Sequence, residues 1–388
     1  MGTSRVDVVI IGGGVTGLWC RWRLASAGYS VVLIERTKLG DGQTVASQGI
    51  LHRGVKYALS SGAVRAAAAA DESAKAWDEA MSGRSGPDLS HVEVVARNML
   101  MWTNAGLLSK LTGAIASKVM TSHVGPAEAD DIPTFVNMRG RSVYRVAETV
   151  INPVSVLQHL AASASGPILR ADVRSIVPGP ERTSVLTSDG DFDAGAVVLS
   201  AGEGNGGLLE LLKQKPDEWM QRRELHMVSA SGAPGMLFGH WIASASDKPR
   251  LSITSANVDG VIHWYIGGDL AESGVTHRID DQIEAAKNEL EICFPGLDPD
   301  AWKFKTVRIS RAEGKDAAGK RPDAPVVRAI EGTRAIAVWP TKLVMAPAAA
   351  EEVLKVVQAK LKPSGETVAE LGPAAHPDYA LPPWQFRD

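Results

Sequence analysis

Over residues 6–35 the hydrophobic pattern changes its period twice. Residues 8–11 form an unbroken apolar run, Gly12, Gly13 and Gly14 interrupt it, and an amphipathic stretch leads to a second apolar run at 31–34, closed by Glu35. That order predicts a strand, a tight turn, a helix and a parallel strand. Residues 62–81, alanine-rich with scattered charge, predict a long helix, because alanine is the strongest helix former. Short apolar runs at 91–101 predict strands, residues 107–120 a helix, and 126–131 an acidic, turn-rich surface loop. Asn152-Pro153 opens a helix. Residues 173–177 read as a strand, and 194–202 as a buried strand ending in small residues. From 224 to 311 the pattern alternates: strands at 251–254 and 261–265 and a helix at 280–294 point to a mostly antiparallel sheet flanked by helices. Within 260–268, His263 and Tyr265 fall on one strand face and Trp264 on the other.

Composition narrows the classes. A chain of 388 residues suits two closely joined domains. Its net charge of -3 argues against a nucleic-acid binder, which needs a basic surface for phosphate backbones. Cys20 and Cys293 stand far apart with no CxxC, so no disulfide framework, zinc site or other metal is expected, and a reducing cytoplasm is the expected compartment. No apolar stretch reaches the roughly 18 residues of a membrane span, and the N-terminal apolar run reads as a strand rather than a leader.

The glycine-rich turn carries the first chemistry. Gly12 makes the turn, Gly14 lets a pyrophosphate approach the backbone, and Gly17 lets the helix lie close on the sheet. Phosphates then face the unpaired amides and positive end of the helix, and Glu35 accepts hydrogen bonds from an adenosine ribose. Arg21 departs from this pattern, standing where a small residue usually packs; its stem is expected to snorkel along the helix edge.

Residues 6–59, with ILHRGVKY at 50–57, resemble the flavoenzyme superfamily of D-amino acid oxidase, glycine oxidase and FAD-dependent glycerol-3-phosphate dehydrogenase. The resemblance implies FAD, and an α/β architecture in which a Rossmann-like FAD-binding domain is joined to a mostly antiparallel substrate domain. The segments implied are 1–90, 142–205 and 315–362 for FAD, 91–141 and 206–314 for substrate, and a tail at 363–388. It places at the cofactor Val15, Thr16 and Arg36 beside the first turn, then Thr44, Ser47, Gln48 and Gly49 from the following loop. Further on it places Val173 near the adenine and Ser200, Ala201 and Gly202 beneath the phosphates. Near the C-terminus Arg321-Pro322 matches a family pair, and Pro340, Thr341, Lys342 and Leu343 stand at the loop and helix start over the flavin. Here Pro340, Thr341 and Lys342 replace the usual glycines and histidine.

The expected activity is transfer of a hydride from a CH–OH or CH–NH carbon of a small anionic substrate to the flavin. Arg321 is the expected anion clamp, since guanidinium binds carboxylate or phosphate bidentately, with Arg308 and Arg311 as alternatives. His52 is the expected base for an alcohol donor, or a covalent attachment point for the flavin. Lys342 is the expected partner of the charge that develops on the reduced ring. His263 and Tyr265 are candidates for the substrate wall. The electron acceptor (oxygen, a quinone or a carrier protein) and the oligomeric state stay open. So does a flavin-binding subunit without turnover, whereas an NAD dehydrogenase conflicts with the C-terminal return to the first domain.

Overall fold

The computed structural model describes residues 3–53, 64–104, 123–137, 139–243, 248–315, 322, 324–365 and 376–385. The helix expected at 107–120 lies outside them. The first sheet is built on parallel strands in the order Ile168–Arg170, Val31–Glu35, Thr3–Ile11, Asp191–Leu199 and Ala335–Trp339. These strands are covered on both faces, so their sequences run apolar without alternation: Val8, Val9 and Ile10 are all fully buried. Asp191–Leu199 is long enough to serve two partners. Its first half pairs antiparallel with Thr183–Thr187, and its second half pairs parallel with Ala335–Trp339. Helices Val15–Ser26, Pro153–Ala162 and Ala346–Gln358 cover one face, together with Val64–Met81.

The second sheet has eight strands, in the order Lys303–Gly314, Met220–Ser231, Val261–Gly267, Leu251–Val258, Gly239–Ile242, Met99–Asn104, Arg141–Val146 and Val124–Pro126. Every pairing in it is antiparallel except that of Gly239–Ile242 with Met99–Asn104. Helix Ile279–Cys293 packs on it through Gln282, Ala286, Leu290 and Cys293, the helical spacing of one buried stripe. A small third sheet is formed by Ile50–Leu51, Thr149–Ile151 and Val94–Ala96.

Two of the expected segment boundaries shift. Residues 142–146 do not return the chain to the first sheet. Arg141–Val146 continues the antiparallel ladder against Met99–Asn104, and the chain leaves the second sheet only at Ala147. Conversely Leu208, Leu209, Leu212 and Trp219 pack with the first sheet, because the helix Asn205–Leu211 covers its second face before the long strand Met220–Ser231 begins.

Arg21 does not snorkel. Its guanidinium is buried and donates to the carbonyls of Ala161 (3.0 Å), Ala164 (2.8 Å) and Gly166 (2.5 Å), capping the C-terminal end of Pro153–Ala162. Burial pushes its pKa down to about 10, which still leaves it charged near neutrality. The tail docks as expected: Leu39 bridges Tyr379, and the Trp384 ring packs edge-on against Tyr265 with centroids 5.5 Å apart. Cys20 and Cys293 are free and buried. No helix among the described residues is long and apolar enough to cross a membrane.

Candidate active site

One cavity of about 810 Å³ runs from the ends of the first-sheet strands to the wall of the second sheet. It begins at Gly12–Gly14, where each glycine answers a different constraint. Gly12 has φ +111°, and a Cβ there would sit 2.5 Å from the Cα of Ala201. At Gly17 a Cβ would sit 1.9 Å from the Gly12 carbonyl oxygen, so the helix can pack this closely only on glycine. Gly14 is different: a Cβ would meet only the Thr44 hydroxyl, at 3.2 Å, so the chain's own packing does not demand a glycine. The cavity in front of it does, if a pyrophosphate is to reach the backbone. Gly14 also caps the helix without a side chain, leaving the helix start facing the cavity.

Glu35 lines the same end. Its carboxylate accepts from the Gly13 amide at 2.8 Å and the Thr37 amide at 2.9 Å, which leaves lone pairs for ribose hydroxyls. Ser200 straps the turn from below, donating to the carbonyls of Ile11 (3.1 Å) and Gly12 (3.0 Å), and Ala201, Gly202, Val173 and Arg36 line the wall beside it. Asn205, which no local pattern marks, is fully buried and ties the strand ends together. It accepts from the Ala201 amide (2.8 Å) and donates to the carbonyls of Leu199 (3.1 Å) and Val338 (3.3 Å).

The loop after Glu35 joins the sheets. Thr44 accepts from the Val15 amide at 3.2 Å, and Ser47 donates to the Thr44 carbonyl at 2.8 Å. The Gln48 amide donates to the carbonyls of Ser252 and Tyr265, both at 2.9 Å, so its polar end holds the second sheet against the first. Gly49, φ +69°, passes so close to Ile151 that a Cβ would lie 2.1 Å from its carbonyl oxygen. At the far wall Pro340, Thr341, Lys342 and Leu343 line the cavity just before helix Ala346–Gln358. Thr341 adopts φ +63°, the left-handed region where glycine is the cheaper residue.

His52 also lines the cavity. Ile50 pairs with Val150 and Leu51 with Thr149, so one further step of that register sets residue 52 opposite residue 148. His52 Nδ1 lies 3.0 Å from a Glu148 carboxylate oxygen, and His240 Nε2 lies 3.5 Å from the same oxygen. Burial alone would raise the Glu148 carboxyl, but the two imidazoles, His52 foremost, hold it well below the usual carboxylate range. Neither Glu148 nor His240 carries any local sequence signal. The three ligand-type atoms lie within 4.8 Å of one another, a spacing a transition metal also accepts; it arises from residues too far apart in the chain for a spacing motif to reveal.

The other expected site residues separate. Neither Tyr265 nor His263 is among the residues lining the cavity. The Tyr265 hydroxyl donates to the Ala46 carbonyl at 3.0 Å, and burial pushes its pKa far up, so it supports the floor of the site as a neutral phenol. Arg308 points away, donating to the carbonyls of Val275 and His277 (both 2.6 Å). Arg311 lines the cavity. Arg321 lies outside the described residues.

The fold and this cavity together define a two-sheet protein whose glycine-rich turn, at the ends of parallel strands, opens toward an antiparallel sheet. The family model described as FAD dependent oxidoreductase (DAO) matches residues 7–352. A probable FAD-dependent oxidoreductase of Pseudomonas aeruginosa is 35% identical over 387 residues, 98% of this chain and 97% of that protein. Among solved structures, the FAD dependent oxidoreductase of Pseudomonas aeruginosa superposes with TM-score 0.82 at 30% identity, over 99% of this chain and 98% of the other. The L-alpha-glycerophosphate oxidase of Mycoplasma pneumoniae, with FAD bound, gives TM-score 0.69 at 16% identity, over 98% of this chain and all of the other. The chain belongs to the DAO family of FAD-dependent oxidoreductases, and FAD is its cofactor.

The residues present fit that cofactor: a turn whose Gly14 faces the cavity without a side chain, the Glu35 carboxylate beside it, and a continuous cavity onward to Lys342. Replacing Glu35 by alanine is expected to weaken FAD binding by about 1.5–3 kcal/mol, the worth of a charge-assisted hydrogen bond. Fluorescence titration of the apoprotein with FAD checks this; unchanged affinity would move the ribose elsewhere.

Proposed function

We propose that the protein oxidises a CH–OH carbon of a small anionic substrate, of the 2-hydroxy acid or glycerol phosphate type, at the part of the cavity lined by His52 and Lys342. The observation that carries this reading is the His52–Glu148 pair, an imidazole on the cavity wall backed at 3.0 Å by a buried carboxylate. FAD, when bound, supplies the hydride acceptor. An alcohol carbon releases hydride readily only as its hydroxyl proton departs, so the site needs a base that works near neutral pH. A neutral amine has no such need, because its own electron pair drives the departure.

With Nδ1–H donated to Glu148, the tautomer leaves Nε2 as the acceptor for the hydroxyl proton, and the carboxylate stabilises the imidazolium that results. Glu148 is thus a positioning residue for His52. Lys342 stands at the head of the turn leading into Ala346–Gln358, so its ammonium and the helix start together favour negative charge in front of them. The walls orient the donor carbon and exclude water, which is the larger part of what a protein adds to a cofactor's own chemistry.

The test is an anaerobic screen of amino acids, N-methyl amino acids, 2-hydroxy acids and glycerol phosphates, reading loss of the flavin absorbance bands. A hydroxyl donor should bleach fastest. Bleaching confined to amino or N-methyl amino acids would overturn the alcohol reading.

A further inference from the structure

We propose that Arg311 and Lys248 on the wall of the cavity, with Arg223 behind them, form a carboxylate-binding pole, and that Glu272 is an internal carboxylate which the substrate's own displaces. This rests on reading the cavity as the substrate site.

Arg223 and Arg311 stand directly opposite each other on neighbouring antiparallel strands. Like charges in that position repel, so the pairing costs stability unless an anion lies between them. Glu272 supplies one. A single oxygen of its carboxylate receives Arg223 Nη2 at 3.0 Å and Arg311 Nη2 at 3.4 Å, and the other receives the Lys248 ammonium. Three cations converging on one carboxylate is the arrangement of a bound carboxylate ligand. Arg311, Lys248 and Glu272 all line the cavity.

Burial decides which anion can leave. Arg223 is anchored from behind by Glu313, at 3.2 Å, whose side chain is 1% exposed and has no water to move into; the Glu272 side chain is 26% exposed. Exchange of one carboxylate for another keeps the cations paired throughout, so the pole is already ordered before substrate arrives. Burial alone would raise the Glu272 carboxyl, but Lys248, Arg223 and Arg311 together hold it below its usual range, so near neutrality it competes as the anion.

The experiment is calorimetric titration of the FAD-loaded protein with succinate, in parallel with inorganic phosphate. Glu272→Gln should bind succinate roughly tenfold more tightly than the wild type, since the internal competitor loses its charge. Lys248→Gln, at a side chain 47% exposed where folding tolerates change, should weaken succinate roughly fivefold in the Glu272→Gln background. Arg311→Gln should weaken it about tenfold there. Unchanged or weaker succinate binding in Glu272→Gln would overturn the proposal, as would tightening toward phosphate alone. Equilibrium binding needs no turnover. Should no hydroxyl donor bleach the flavin while these affinities hold, the alcohol reading falls and the pole stands; should a donor bleach while they fail, only the pole falls.

Discussion

Replacing His52 by alanine is expected to slow reduction of the FAD-loaded protein by its hydroxyl substrate by roughly 10²–10⁴-fold, with little loss of substrate affinity. The base acts as hydride leaves, so its interaction strengthens at the transition state and not on binding. Stopped-flow reduction over a range of substrate concentration separates the two quantities, after denaturation has shown that the flavin is not covalently held. An alcohol reduced by the alanine variant at the wild-type rate would remove His52 as the base. Glu148→Gln should lie between the two proteins in rate, because glutamine can still accept from Nδ1 but brings no charge to the imidazolium. The same variant carries a stability signature. Glu148 is held below its ordinary range in the fold, so it stabilises the protein above the unfolded carboxyl pKa. That contribution is lost as pH falls through the lowered folded value. Urea unfolding should therefore show the wild type ahead of Glu148→Gln at neutral pH and the gap narrowing on acidification; a gap that widened would reverse the sign of the linkage.

Arg21→Leu is expected to destabilise the protein by about 3–5 kcal/mol, since three carbonyls lose a charged donor and each unsatisfied acceptor costs about 1–3 kcal/mol. Leucine fills part of the volume but satisfies none of the three carbonyls that close Pro153–Ala162 and lead into Ile168–Arg170. Lysine at the same position keeps the charge, yet one ammonium on a flexible stem does not span three acceptors as a planar guanidinium does, so Arg21→Lys should recover only part of the loss. Denaturant unfolding followed by tryptophan fluorescence measures both. A loss under 1 kcal/mol for Arg21→Leu would mean those carbonyls find other donors.

The glycine-rich turn was legible in the chain because its constraints are local. A left-handed φ at Gly12, a helix lying against the Gly12 carbonyl at Gly17, and an acid one strand later all occur within a single strand, helix and strand, and each restricts the residue that can stand there. The antiparallel second sheet showed itself through its period of two, and the family resemblance carried Val173, Ser200 to Gly202 and Pro340 to Leu343 to the cavity wall. The cluster at His52 had no such local signal. Glu148 is 96 residues from His52 and becomes its partner only because Thr149–Ile151 pairs in one register with Ile50–Leu51. His240, Asn205 and the Arg223–Arg311 pair around Glu272 likewise depend on which strands lie side by side. Tyr265 lost its expected place at the substrate by the same logic: alternation told which strand face it shares, but the loop at Ala46 determined that this face would be covered. Periodicity and backbone sterics act between near neighbours and can be read along a chain, whereas hydrogen bonds between side chains of distant strands exist only once the sheets have closed on each other.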